Sequence, residues 1–264
     1  MLEVIAASVA GLLVGSFLNV CIYRLPRDLS VVQPRSFCPC CGAAIAWRDN
    51  IPLLSFLLLG GRCRACGARI PWRYPAVELA TAALFVAAAL AFAPFLEAIK
   101  FMIFSALTVG LIVTDLESRI LPDEFTLGGA VLGVALAPLA PMQAFLILLF
   151  APLQWGARWL SLGEAVLGAL IAPGLLFAMA ALYEKVRKRE GMGLGDVKMA
   201  AMLGAFLGLQ GALLALLIGS LLGSVVGLLY IKARHKKVSE YELPFGSFLG
   251  AGGLAVAFFS PASV

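Results

Sequence analysis

The sequence predicts an all-α polytopic membrane protein of about eight transmembrane helices, with one sizeable cysteine-bearing hydrophilic loop after the first. Three observations predict it. Of the 264 residues, 62% are hydrophobic and only 13% charged, with a mean hydropathy of +0.99, which lies outside the range of soluble globular chains. Apolar runs recur along the whole length, each near the ~20 residues that a helix needs to cross a hydrocarbon core. The polar residues gather in short stretches between those runs, with residues 25–74 the longest.

Taken in order, the first span is 4–24. It opens Met1-Leu2-Glu3 with no basic n-region, and no A-x-A-like site precedes a soluble domain, so an uncleaved span is expected rather than a signal peptide. Residues 25–74 form a cytoplasmic loop domain. Residues 75–264 form a seven-helix membrane domain with spans at 75–95, 98–114, 124–141, 164–183, 197–209, 211–231 and 245–262. The apolar stretch 142–160 is broken by Pro152 and followed by Trp155, Arg158 and Trp159. Aromatic residues and arginine favour the headgroup zone, so an interfacial or re-entrant piece is expected there rather than a ninth span. Gly219, Gly223 and Gly227 line one helix face at the spacing that lets helices approach closely. No internal repeat is expected.

Charge asymmetry sets the orientation. Arg24, Arg27, Arg35, Arg48, Arg62, Arg64, Arg69 and Arg73 crowd the first loop against Asp28 and Asp49. Lys185, Arg187, Lys188, Arg189 and Lys198 mark the 184–198 loop, and Lys232, Arg234, Lys236 and Lys237 the 232–237 loop. With eight spans these loops and "DLESRILPD" (115–123) share one side, and Lys100 and Arg158 are almost alone opposite. The basic side is cytoplasmic and both termini are periplasmic. The net charge of +5 is thereby accounted for by topology, with no need to invoke nucleic acid.

The loop holds C-x-x-C pairs at Cys38/Cys41 and Cys63/Cys66, about 20 residues apart. Two such knuckles bring four thiolates to the tetrahedron zinc prefers, and the reducing compartment disfavours disulfides. A loop of ~50 largely polar residues builds little core, so metal would supply its folding energy. Four cysteines leave no coordination site for water, which makes the zinc structural. Cys40 is able to replace Cys38 or Cys41 as a ligand, and reduced or redox-active thiols are the alternative. Cys21, in the first span, reads as an ordinary buried thiol.

Asp196, in "GMGLGDVKM" (191–199), stands at the cytoplasmic start of the sixth span. Asp115, Glu117, Asp123 and Glu124 stand at the cytoplasmic junction of the third and fourth. Carboxylates from two helices thus meet at one membrane depth. Two close carboxyls share one proton, and one activates water while the other protonates or polarises a carbonyl, as in aspartic proteases. Gly191, Gly193 and Gly195 would let an extended peptide approach closely. N-capping is the structural alternative for Asp123 and Asp196, whereas Asp115 ends a span, where its charge opposes the helix dipole. The single histidine, His235, is remote from any serine, and the glycine spacing is not a dinucleotide fingerprint. A proton-coupled transporter with the same paired aspartates is the competing function class. The cysteine loop, and the want of broken helices in matched halves, argue against it.

Over nearly its whole length the chain resembles the bacterial type IV prepilin peptidases, or type IV leader peptidases. The matching pieces are "GSFLNVCIYRLP" (15–26), the two knuckles, "NIPLLSFLLLGGRCRAC" (50–66), "RYPAVELA" (73–80), "DLESRILPD", "GMGLGDVKMAAMLGAF" (191–206) and "LPFGSFLGAG" (243–252). The resemblance implies an inner-membrane aspartyl endopeptidase that removes the leader from prepilins or pseudopilins at the cytoplasmic face. It implies Asp115 and Asp196 as catalytic, with Gly193, Gly195, Asp123 and Lys198 in support. It also implies methylation of the new N-terminus by S-adenosylmethionine, associated with the cysteine loop. Gly61, Arg73 and Glu78 are candidates for methyl transfer by loop position.

Overall fold

The structure is a computed structural model and describes residues 1–151, 154–188, 192–234 and 243–260. Among the described residues the regular structure is helical: α1 (Leu2–Arg24), α2 (Leu54–Leu58), α3 (Arg73–Ala91), α4 (Phe95–Ser118), α5 (Asp123–Leu136), α6 (Ala157–Arg187), α7 (Leu194–Arg234) and α8 (Phe245–Phe259). Five of them, α1, α3, α4, α6 and α7, are long and apolar enough to cross a membrane, and α8 is a shorter apolar helix. The chain divides into two compact units, Met1–Ala93 and Pro94–Val264.

In the first unit α1 lies antiparallel against α3. A Cβ at Gly11 would fall 2.5 Å from Ala82 Cα, and one at Gly15 would fall 2.7 Å from Glu78 Cα. These two glycines set the helix separation, since any side chain there would push the backbones apart. The loop joining α1 to α3 folds over that end of the pair.

In the second unit, close contacts fix every helix direction. Leu203 meets Gly253 and Met199 meets Gly250, so the arm 194–207 of α7 runs parallel to α8. Gly227 meets Leu243, Gly219 meets Leu249 and Gly211 meets Val256, so the arm 209–234 runs antiparallel to it. The chain therefore reverses at Gly208, whose φ of 70° and ψ of 179° leave helical geometry, a conformation glycine reaches without a Cβ clash. The sixth and seventh spans read from sequence are these two arms, joined through one residue instead of a loop. By the same kind of contact, α5 is parallel to the first arm (Gly129 on Met202, Gly133 on Ala205), while α4 and α6 are antiparallel to it. The C-terminal ends of α4 and α6 thus share one face of the unit with the N-terminal ends of α5, α7 and α8.

The glycine stripe packs as its spacing implies, with Gly219, Gly223 and Gly227 against Leu249, Phe248 and Leu243. The closest seam, however, is between α6 and α7. A Cβ on Gly204 or Gly168 would overlap the other's carbonyl. Gly204→Val is expected to destabilise the protein by about 3 kcal/mol, the upper range for overpacking. Gly174→Ala, with nothing within 4 Å of its Cβ position, is expected to be neutral; thermal unfolding in detergent compares them.

Several boundaries differ from expectation. α5 stops at Leu136 rather than 141, because Pro138 and Pro141 cannot continue it. α6 begins at Ala157 rather than 164, so Arg158 and Trp159 form its first turn. Between them the described part of 142–156 contains one 3-10 turn, Ile147–Leu149, and no spanning helix. Glu164, 1% exposed, anchors that stretch: its Oε2 accepts the Phe145 and Ile147 N–H groups at 3.1 and 3.0 Å. The Ser161 hydroxyl donates to Ala137 O and accepts the Met142 N–H. Lys100 is not a loop residue. It is buried in α4, with Nζ donating to Ala140 O at 3.2 Å. Gly191 and His235 lie outside the described residues.

Candidate functional site

The first candidate site is the metal centre. In it, the Sγ atoms of Cys38, Cys41, Cys63 and Cys66 all lie within 4.8 Å of one another. Tetrahedral zinc at ~2.3 Å from each sulfur sets the sulfurs ~3.8 Å apart, and Cys38 and Cys66 stand at 4.0 Å. The set fits such an ion. Cys40, an open alternative from sequence, is exposed and outside the cluster.

A repeat builds this geometry, contrary to the expectation of none. "SFCPCCGAAI" (36–45) and "GRCRACGARI" (61–70) fold alike at a constant offset. Cys38 N–H bonds Ala43 O as Cys63 N–H bonds Ala68 O. Gly42 and Gly67, at φ +72° and +69°, return their N–H groups to Cys38 O and Cys63 O. Ile45 pairs with Ser36 as Ile70 pairs with Gly61. Position 40 aligns with Ala65, which shows why the extra cysteine is no ligand. The Cys38 thiol is lowered to about 7, chiefly by backbone hydrogen bonds from Cys41 and then Cys40, so it reaches the thiolate form that metals require.

Beside the knuckles lies a cavity of about 540 Å³, within the usual size range of small-molecule sites. The ends of α1 and α3 line one side and the cysteine loop the other, with Cys38 and Cys63 in its wall. Of the three residues suggested for methyl transfer, Glu78 lines it. Gly61 serves the second knuckle at φ +67°, with Phe56 against it, and Arg73 stacks over the Tyr74 ring at 4.6 Å.

The carboxylates occupy the second unit, at the face where α4 ends and α5, α7 and α8 begin. Asp115 is 5% exposed in the last turn of α4. Its Oδ2 accepts the Ser247 backbone N–H at 2.6 Å and lies 2.8 Å from Ser247 Oγ. Asp115 therefore has a structural partner after all: it caps the N-terminus of α8, whose positive end offsets the unfavourable end of its own helix. Asp196 sits in the first turn of α7, within electrostatic range of Asp115. Leu121 packs between the two, against Gly195 on one side and Gly246 on the other; Asp115 Oδ2 is 3.2 Å from the Gly246 Cβ position.

The cap expected at Asp123 is not one: Pro122 is the N-cap of α5, so Asp123 is its first residue. Asp196, the third residue of α7, reaches back to the Gly193 backbone N–H and so does serve as a local cap. Asp123 instead takes Lys198 Nζ at 2.7 Å, tying the start of α5 to that of α7. Gly193 and Gly195 have no positive φ. A Cβ at Gly195 would meet Leu121 at 3.2 Å, and one at Gly193 would lie 3.9 Å from Asp196 Oδ2. Ser247 escaped the sequence reading, though it lies inside "LPFGSFLGAG". Its bond to Asp115 spans 132 positions and has no local signature. Ser247→Ala removes one hydrogen bond to the carboxylate and keeps the N–H, so the protein is expected to lose about 2 kcal/mol of stability, the worth of one bond to a charged group, read by thermal unfolding in detergent.

Comparison with known proteins follows the same division. The bacterial peptidase A24 N-terminal domain matches residues 9–92, and the type IV leader peptidase family matches residues 101–228. A prepilin leader peptidase/N-methyltransferase of Myxococcus xanthus is 43% identical over 225 residues, 85% of this chain and 62% of that protein. One of the same description from Aeromonas hydrophila is 36% identical over 274 residues, covering 92% of this chain and 86% of the relative. One from Klebsiella pneumoniae is 40% identical over 214 residues, covering 76% and 83%. No solved structure matches the chain significantly.

Proposed function

The chain belongs to the type IV leader peptidase family, and we propose that Asp115 and Asp196 are the pair with which it cuts the leader from prepilins or pseudopilins. The supporting observation is their placement: α4 and α7 bring one carboxylate each to the same end of the unit, within electrostatic range of each other. An aspartyl dyad works with one proton shared between its two carboxyls. The ionised one takes a proton from water as the water attacks the scissile carbonyl. The protonated one donates to the carbonyl oxygen and, as the tetrahedral species collapses, the amide nitrogen leaves protonated. Ser247 fixes the rotamer of Asp115. Lys198 and Asp123 hold together the helix starts that flank Asp196.

The same reading has eight helical crossings in the bacterial inner membrane, with the reversal at Gly208 separating the sixth from the seventh. Lys185, Arg187, Lys188 and Lys198 cluster at the aspartate end, so that end faces the cytoplasm and the termini face the periplasm. The cysteine set holds a structural zinc. The cavity beside it takes S-adenosylmethionine, which supplies an electrophilic methyl group for the N-terminus that cleavage frees. Nothing in the described residues favours the transporter reading. Co-expression with a prepilin tests the peptidase: the substrate shortens by its leader in the presence of this chain. An uncut substrate, with the protein present in membranes, would refute the assignment.

A further inference from the structure

The cavity beside the knuckles has an end made of hydrogen-bond acceptors. Asn19 of α1 is 2% exposed, and its Nδ2 donates to Tyr74 O at 3.0 Å and Gly15 O at 3.3 Å. Both partners are carbonyls, so the amide cannot turn over, and Oδ1 is left buried without a donor. Glu78 of α3, 8% exposed, lines the same cavity one helical turn away across the α1–α3 seam. Its Oε2 accepts the Leu53 N–H at 2.8 Å. Leu53 reaches that position at φ +57°, a region that a leucine rarely adopts. The backbone is thus held in an uncommon conformation where it orients this carboxylate, as happens at functional sites.

Among the other charged residues lining the cavity, Asp49, Arg64 and Arg24 are already engaged. Asp49 is tied by both oxygens to Arg64, at 2.7 and 2.8 Å. Arg24 donates to the carbonyls of Ser30, Pro34 and Arg35. An orphan amide oxygen beside a carboxylate suits a ligand with several N–H donors and a positive charge, which is a primary ammonium group.

We propose that Asn19 and Glu78 form the subsite for the acceptor amine of methyl transfer, the free N-terminus that leader cleavage exposes. This rests on the methyltransfer reading given above. Both residues belong to the long apolar helices rather than to the loop, which suits an amine borne on a membrane-embedded chain. Glu78 removes one proton from the ammonium and becomes neutral. The freed nitrogen lone pair forms the N–C bond as the methyl–sulfur bond of the sulfonium donor breaks, its electron pair remaining on sulfur. The methylammonium product carries the charge that the sulfonium lost, and Glu78 passes its proton to water.

The test is a binding measurement on the full-length protein in detergent, without methyl donor. The probe is a fluorophore-labelled peptide with the sequence that follows a prepilin leader, carrying a free α-amine, beside its N-acetylated twin. Wild type is expected to bind the free amine at least tenfold tighter, and Glu78→Gln to reduce that preference to about twofold. A preference that survives in Glu78→Gln with a wild-type unfolding transition would overturn the proposal. If Glu78→Gln does not fold, Asn19→Leu decides by the same readout, and an undiminished preference there overturns it. Methyl transfer on adding S-adenosylmethionine to a wild type with no amine preference would refute this subsite alone. An amine preference dependent on Glu78, with no methyl transfer, would refute the methylation reading and leave the amine site standing.

Discussion

Asp115→Asn and Asp196→Asn are each expected to lower leader-peptide cleavage by a factor on the order of 10⁴ or more, because residues that act as a unit fail as a unit. Asparagine is the informative replacement. In Asp115→Asn the new amide still offers an oxygen to the Ser247 N–H, so the cap on α8 survives while the ionisable group is gone. Loss of activity with an unchanged unfolding transition then reports chemistry and not folding. The double variant should be no worse than either single one. A cleavage rate within tenfold of wild type in both single variants would remove the pair from the mechanism. Ser247→Ala, which leaves both carboxyls in place, should fall between wild type and these variants.

The second large effect is at the cysteines. Replacing Cys63 and Cys66 together by Ser is expected to take bound metal from about one per chain to none, measured by elemental analysis. The two remaining thiols, Cys38 and Cys41, cannot complete a tetrahedron. Metal binding to such loops is worth ~10–16 kcal/mol and is inseparable from their folding, so residues 36–70 should also become accessible to protease. Binding must weaken as pH falls, since protons compete with the metal for the four thiolates. Cys40→Ser is the control, expected to keep its metal because Cys40 stands outside the cluster. Stoichiometric metal in the double Ser variant would refute the site.

What could be read from the sequence is what depends on local pattern. Apolar runs located the long helices with ends up to seven residues off, and the glycines spaced by four foretold a close helix seam, which is that of α7 with α8. The C-x-x-C spacing found the four thiols that cluster. Boundaries failed where single residues overrode hydropathy, as Pro138 ended α5 and Gly208 turned α7 on itself. The knuckle repeat was legible at residues 36–45 and 61–70, where two cysteines, a glycine, an alanine and an isoleucine recur, and was missed because the unit is so short. Longer reach is the other cause. Ser247 on Asp115, Glu164 on the 145–147 turn and Asn19 on Tyr74 each join segments whose proximity only packing determines. The cap expected at Asp123 was reasonable local chemistry, displaced because Pro122 holds the N-cap position and Lys198 offered Asp123 an ion pair.

The most direct measurement mixes the purified protein with a synthetic prepilin leader peptide, with and without S-adenosylmethionine, and weighs the products. The expected result is cleavage in both samples, plus one methyl's mass on the new N-terminal fragment when the donor is present. Cleavage without the added mass would retain the Asp115–Asp196 protease and contradict the role given to the cavity. An intact peptide, in folded protein offered several leader sequences, would contradict the account at its centre.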